Sequence, residues 1–411
     1  MSENTPDTSG VNTDGNVHAD GGTPTGSEPT SGRFGSGAGF MGLPRLGLGE
    51  RLGEAPFWVR LLVGLVAISF AFYLPYLNIL PFAYVRTDLT SGGSDWGGVL
   101  FLIVVYMIVA VGLNVVIGLA GLLDLGYIGF YALGAYSVAI FGSPSSPVTN
   151  AIAEKWGLSE DWAVPFVACI PIALGIALAS GVILGAPTLR LRGDYLAIVT
   201  MGFGEIIRIL SRNVSEVTNG SAGIIGVPSP PEPSTNYFSS IESTHWYWLA
   251  LVVLIILIFF TRRLEHSRVG RAWLAIREDE DAAAVMGVNA FKFKLWAFAI
   301  GAALGAMAGL LFASKQAYVE PTGFALNLSF LFVAMVVIGG SGNMVGALLG
   351  AFLITYLPER FREFQEWRPF AFGLALVVFM VLRPQGLVPS RRRAREFEDR
   401  KHEAEEAAAD A

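Results

Sequence analysis

Glu205 and Arg208 stand three residues apart in the run MGFGEIIRIL, whose other side chains are apolar or absent. On a helix, positions i and i+3 lie one turn apart, so the two charges can pair. An ionised group at mid-membrane costs roughly 2.5–3.5 kcal/mol on insertion scales. Such a pair therefore either fixes a helix against its neighbours or lines a polar passage. Asn114, inside AVGLNVVIG, makes a weaker form of the same demand, because a buried amide must find a partner. Asp124 in GLLDLGY and Asp194 in LRLRGDY each precede an apolar stretch, where a carboxylate suits helix N-capping. The remaining chemistry is excluded by pattern. His18, His245, His266 and His402 have no metal-ligand spacing, and the lone Cys169 permits no intrachain disulfide. The sequence holds no Ser-His-Asp set, HExxH, GxxxxGK[ST] or cofactor fingerprint, so no catalytic residue, metal or cofactor is expected. If ATP drives this protein, another polypeptide binds it.

These residues are carried by apolar elements. The 411 residues are 53% hydrophobic and only 15% charged, with 48 glycines. Stretches such as FWVRLLVGLVAISFAFYLPYL and WYWLALVVLIILIFF lack a polar face and approach the ~20 residues needed to cross a bilayer. Spans are expected near 57–77, 97–118, 125–142, 163–187, 194–211, 246–261 and 293–314, with a long apolar region at 328–357 and a last span at 368–382. Residues 1–52, rich in Ser, Thr, Gly, Asp and Pro, read as a disordered cytoplasmic tail. Residues 53–388 form the transmembrane region, and 389–411 a charged cytoplasmic tail. Arg262, Arg263, Arg268, Arg271 and Arg277 mark 262–292 as a cytoplasmic loop, and Arg391 to Arg393 mark the C-terminal side likewise. The 213–245 loop holds no Lys or Arg and is expected outside.

Parity then constrains 328–357. With both basic segments inside, an even number of crossings separates them, so this region folds as a short helical hairpin broken at IGGSGN, either two short crossings or a re-entrant loop. The expected fold class is an all-α polytopic membrane protein with about ten crossings and both termini cytoplasmic. VVIGLAG (115–121) and VVIGGSG (336–342) form a faint internal echo of the kind found in transport folds. Gly301, Gly305 and Gly309, and separately Gly181 and Gly185, recur every four residues and mark close helix packing.

The densest charge lies in GRAWLAIREDEDAAAVMGVN. Ala272, Trp273 and Ile276 have helical spacing, and Glu278 to Asp281 form an acidic run before Ala283 and Met286. Gly287 is a plausible helix stop. Two short helices joined by charge would offer small and apolar groups to a partner. Gly270, Arg271, Ala272, Trp273, Ile276, Arg277, Glu278, Asp279, Ala283, Met286 and Gly287 are the candidate coupling residues.

GLNVVIGLAGLLDLGYIGFYALGAY, LRLRGDYLAIVTMGFGEIIRIL, TNGSAGIIGVP, the Gly270–Asn289 stretch continuing into AFKFKLWAFAIGA, and VVIGGSGNMVGALLGA together resemble the LivM-type permease subunits of ABC importers. That family takes up branched-chain amino acids and, in other members, urea or amides. The likeness runs from about residue 97 to 388. It implies a cell-membrane complex with two ATP-binding subunits, a second, related permease and an external solute-binding protein, with ATP bound only by the partners. It further implies that 262–292 is the ATPase-coupling loop. A zwitterionic cargo would need polar groups in the passage, for which Asn114, Thr200, Glu205 and Arg208 are the candidates. An importer of other small polar solutes stands as the alternative. An ion-coupled transporter or channel is the rival from another class. Lipid is the only other partner expected, and no nucleic acid.

Overall fold

The computed structural model describes residues 66, 69–76, 96–159, 161–191, 194–231, 238, 243–360, 370, 373–374, 377 and 386–388, all within the compact unit Leu65–Ala411. The expected spans near 57–77 and 368–382 fall largely outside these residues. Both expected tails, 1–52 and 389–411, fall outside them.

Almost everything described is helical. α1 (Trp96–Leu113) runs on into a wider π-wound segment, Asn114–Leu119. α2 (Ile128–Gly142) and α3 (Pro147–Trp156) follow, then α4 (Phe166–Thr188) and α5 (Asp194–Asn213). α6 (Thr244–Glu265) leads into two short helices, α7 (Arg268–Glu278) and α8 (Glu280–Val285). α9 (Ala290–Gln316) is the longest helix, and α10 (Leu326–Gly339) and α11 (Met344–Arg360) close the described bundle. Among the described residues, four helices are long and apolar enough to cross a membrane: 96–119, 166–188, 244–265 and 290–316. α10 and the apolar part of α11 are shorter. They are separated only by Gly340–Asn343, the break expected from IGGSGN.

The position of each helix follows from its faces. α1 is apolar all round and sits at the centre, with Val105, Ile108, Val109, Ala110 and Val111 wholly buried. It touches α6, α9 and α11, while α9 also lies along α2 and α4. α4 and α6 each keep one apolar face uncovered, with Ile183 and Phe259 strongly exposed, as suits contact with lipid.

The spaced glycines set the closest approaches. A Cβ on Gly309 would stand 1.9 Å from Tyr131 O, and one on Gly301 2.4 Å from Val116. On the other side of α9, a Cβ on Gly181 would meet Ala299 Cα at 3.0 Å, and one on Gly185 would meet Leu295 at 2.8 Å. At Gly309 and Gly181 the helices touch backbone to backbone, and at Gly301 and Gly185 a neighbour's side chain rests on the bare glycine.

At one end of the bundle the chain is tied across by a two-stranded antiparallel ladder, β1 (Ile224–Ile225) with β2 (Tyr318–Val319). Ser143 at the end of α2 donates to Ile225 O there at 2.5 Å. Asn219 reaches this ladder through a left-handed turn, with φ 60°, and its amide donates to Gly223 O at 2.7 Å. Asparagine tolerates that backbone region better than other side-chain-bearing residues. α7 and α8 lie at the opposite end.

The candidate passage and coupling site

The sequence echo has a structural counterpart. Its final glycines, Gly121 and Gly342, both have positive φ, 72° and 85°, and each ends a helix in a non-helical break. The two breaks touch. Asn114 Oδ1 accepts a hydrogen bond from Gly342 N at 2.8 Å, which meets the demand raised by an amide at a 3% exposed position. A Cβ on Gly118 would stand 2.2 Å from that same Oδ1 and 2.6 Å from Gly342 N. Asn114 thus stitches the end of α1 to the α10–α11 turn.

The first break is the longer one. Residues 120–127 carry no helix, and they pass from the α7 end of the bundle into its interior. At the near end, a Cβ on Gly121 would stand 2.8 Å from Arg277 Cγ, so the stem of Arg277 lies over that turn. At the far end, Tyr127 Oη donates to Gly301 O at 2.7 Å. Gly301 lies about 16 Å along α9 from Ala290, at ~1.5 Å per residue. Between these points Leu125 is held at both its backbone groups. Its N–H donates to Thr200 Oγ1 at 3.1 Å, and Ser329 Oγ donates to its carbonyl at 2.6 Å. Thr200, one of the expected pathway residues, therefore braces the break from α5 and is fully buried.

Asp124 does not cap a helix. The residue before α2 is Tyr127, which makes no side-chain cap, and Asp124 Oδ1 instead accepts from Gly126 N at 2.9 Å within the break. Capping needs a side chain at the helix boundary, and Asp124 stands too far ahead of Ile128. Asp194 opens α5.

Glu205 and Arg208 form the expected pair. Arg208 Nε donates to Glu205 Oε2 at 3.0 Å, and Nη2 bonds Oε1, a two-pronged arrangement within one turn of α5. The pair is a third to a quarter exposed, with side chains at 36% and 26%. Structure therefore places Asn114 and Thr200 in the buried stitching around the breaks, and Glu205 and Arg208 apart from them on a partly open edge of α5.

The Gly270–Asn289 stretch forms the two short helices expected. Ser267 caps α7, accepting from Val269 N and Gly270 N. Asp279 caps α8, its Oδ1 accepting from Asp281 N and Ala282 N, both at 2.9 Å. Gly287 ends the second helix with φ 86°. What the loop presents differs from expectation. Ala272, Trp273, Ile276 and Ala283 are buried against the chain's own bundle. Trp273 is fully enclosed, and its Nε1 donates to Phe293 O at 2.7 Å. An amphipathic surface helix turns its apolar stripe to the nearest core, and here that core is the end of α9. The groups left outward are Arg271, Glu278, Asp279 and, at the tip, Val285 and Met286, which are 87% and 83% exposed. Gly270 is buried where the chain turns from α6 into α7; a Cβ there would meet Glu265 O at 2.1 Å. Arg277 donates to Gly118 O, joining α7 to the π-wound end of α1. Lys294 pairs with Glu280 and ties α8 to α9.

Sequence reasoning overlooked Ser329 and Val285. Neither carried a signal, since each belongs to an unremarkable apolar run and acquires its role only from what stands opposite or fails to.

Residues 97–382 match the family model described as the permease component of branched-chain amino acid transport systems. The LivM permease of the high-affinity branched-chain amino acid transport system of Escherichia coli K12 is 39% identical over 311 residues, covering 71% of this chain and 69% of the relative. The probable LivM permease of Methanocaldococcus jannaschii is 26% identical over 298 residues, or 67% of this chain and 82% of the relative. The LivH permease of the E. coli system is 25% identical over 304 residues, or 69% of this chain and 91% of its own. No solved structure matches the chain.

Proposed function

Because the chain belongs to the family of permease components of branched-chain amino acid transport systems, we propose that it forms part of the membrane passage of an ATP-driven importer for those amino acids. It is a transport subunit and not an enzyme, and it is a multi-pass membrane protein. The observation that carries the mechanism is the seating of α7 and α8. They are fastened to the bundle by Trp273, Ile276 and Ala283, while the Val285–Met286 tip stays exposed at the surface. ATP-binding subunits grip that tip. Because α7 is bonded to the end of α1 and α8 to α9, their closure moves the helices that flank the passage. Energy enters as different contacts in the two states, which is all that population shift requires.

Two ATP-binding subunits, a second, related permease and an external solute-binding protein complete the assembly. The likeness of this one chain to both LivM and LivH relatives supports a paired permease of common fold. ATP is held by the partners. The chain crosses the membrane about ten times with both termini in the cytoplasm, residues 1–52 and 389–411 forming tails there. The α7–α8 end then faces inward and the β1–β2 end outward. Asn114, Thr200, Glu205 and Arg208 supply polar groups along the passage.

The test is reconstitution. The chain, purified with the ATP-binding subunits and second permease of its own organism, takes up leucine into proteoliposomes only with ATP and the binding protein present. Uphill uptake by the chain alone, driven by an ion gradient, refutes the reading. Uptake of urea or amides in place of leucine assigns the other cargo class.

A further inference from the structure

Asp124 is fully buried in the non-helical run between α1 and α2. Its Oδ1 is engaged by Gly126 N at 2.9 Å, but Oδ2 has no hydrogen-bond partner among the described residues. The hydroxyls around the break, that of Thr200 beside the carboxyl included, bond backbone carbonyls. Thr200 Oγ1 donates to Ala197 O at 3.0 Å, Ser329 Oγ to Leu125 O at 2.6 Å and Tyr127 Oη to Gly301 O at 2.7 Å. The result is a buried carboxyl oxygen that makes no hydrogen bond, with the Thr200 hydroxyl in its neighbourhood.

A buried carboxylate oxygen without a partner is strongly disfavoured, and the penalty is removed when a cation reaches it. The surrounding backbone points the same way. Non-helical segments at membrane depth persist only where protein encloses them or where they line a cavity, and transport proteins hold their cargo at such interruptions. The Tyr127 hydroxyl, at the end of this run, reaches Gly301 O, about 16 Å along α9 from Ala290. A primary ammonium is compact, carries three donors and is the one cation that an amino-acid cargo brings with it.

We propose that Asp124 is the subsite for the cargo's ammonium group, its free Oδ2 accepting from the ammonium while Oδ1 keeps the turn formed through Gly126. The assignment rests on the importer reading above, and it concerns a residue that sequence reasoning had treated as a helix cap. Asp124 is held in readiness by the break itself: Thr200 and Ser329 fix Leu125, and the carboxylate is left to the passenger.

The variant Asp124→Asn separates this from a structural role. Asparagine retains the Oδ1 acceptor for Gly126 N and the side-chain volume, and replaces only Oδ2 by an amide donor. The full complex, with ATP-binding subunits, second permease and binding protein, is reconstituted and radiolabelled leucine uptake is measured beside ATP hydrolysis stimulated by the loaded binding protein. Uptake is expected to fall about tenfold or more, the loss of one charge-assisted hydrogen bond, with assembly and stimulated hydrolysis retained. Unchanged uptake overturns the assignment. Loss of assembly together with uptake also overturns it, since Asp124 then acts as a brace. A wild-type complex that takes up no leucine refutes the importer reading instead, before any variant is compared.

Discussion

The exposed tip of α8 offers the sharpest test of the coupling mechanism. Val285 and Met286 are 87% and 83% exposed, whereas the apolar residues behind them are buried in the chain itself. Replacing both, as Val285→Glu with Met286→Glu, removes the apolar part of the tip and nothing that the bundle uses. Burying a side chain of this size stabilises by about 1.5–3 kcal/mol, so docking of both contributes about 3–6 kcal/mol. Forfeiting even the lower figure weakens docking by roughly a hundredfold at about 1.4 kcal/mol per decade. The chain's own stability changes little, within about 0.5 kcal/mol, as for other surface substitutions. The assay compares recovery of the ATP-binding subunits with the tagged permease, and leucine moved per ATP hydrolysed in proteoliposomes. Recovery and transport should both collapse while the permease remains folded in the membrane. Wild-type recovery and a wild-type transport ratio in the double variant would refute docking at this tip.

Three further outcomes follow from the packing. Trp273→Ala empties an enclosed site and removes the second donor to Phe293 O, so it should destabilise the permease by about 3–5 kcal/mol and lower its unfolding temperature, unlike Met286→Glu. Gly309→Ala puts a Cβ 1.9 Å from Tyr131 O and should cost about 1–3 kcal/mol by forcing α2 and α9 apart, while Gly175→Ala, with nothing within 4 Å, serves as the neutral control in the same melting assay. Asn114→Leu removes the acceptor for Gly342 N in a buried site, costing about 1–3 kcal/mol, and amide hydrogen exchange at Gly342 should quicken correspondingly.

Local pattern carried far in this chain. Long apolar runs gave helices close to their expected limits, because a helix that must satisfy its own backbone in lipid is specified by length and hydropathy alone. IGGSGN marked the break between α10 and α11, and the i, i+3 spacing of Glu205 and Arg208 was enough for their pair. The four-residue glycine spacing located the close helix contacts, although not which helix each face would meet. The α7–α8 pair was also legible from its charge run and terminal glycine. Of its apolar residues Met286 is exposed as expected, while Ala272, Trp273, Ile276 and Ala283 are covered by the chain itself, because spacing identifies a stripe but not the surface that covers it.

By itself, then, the sequence determined a helical membrane permease, its principal breaks and its two short charged helices, since these depend on interactions within a turn or along one span. Only the tertiary structure decided how the breaks are used. The bond between Asn114 and Gly342, the hold of Thr200 and Ser329 on Leu125, and the reach of Arg277 to Gly118 join residues far apart in sequence. It also decided that Asp124 keeps an unmet acceptor rather than capping a helix. A side chain's unmet hydrogen bonds are defined by every group around it, and that enclosure exists only once the helices have packed.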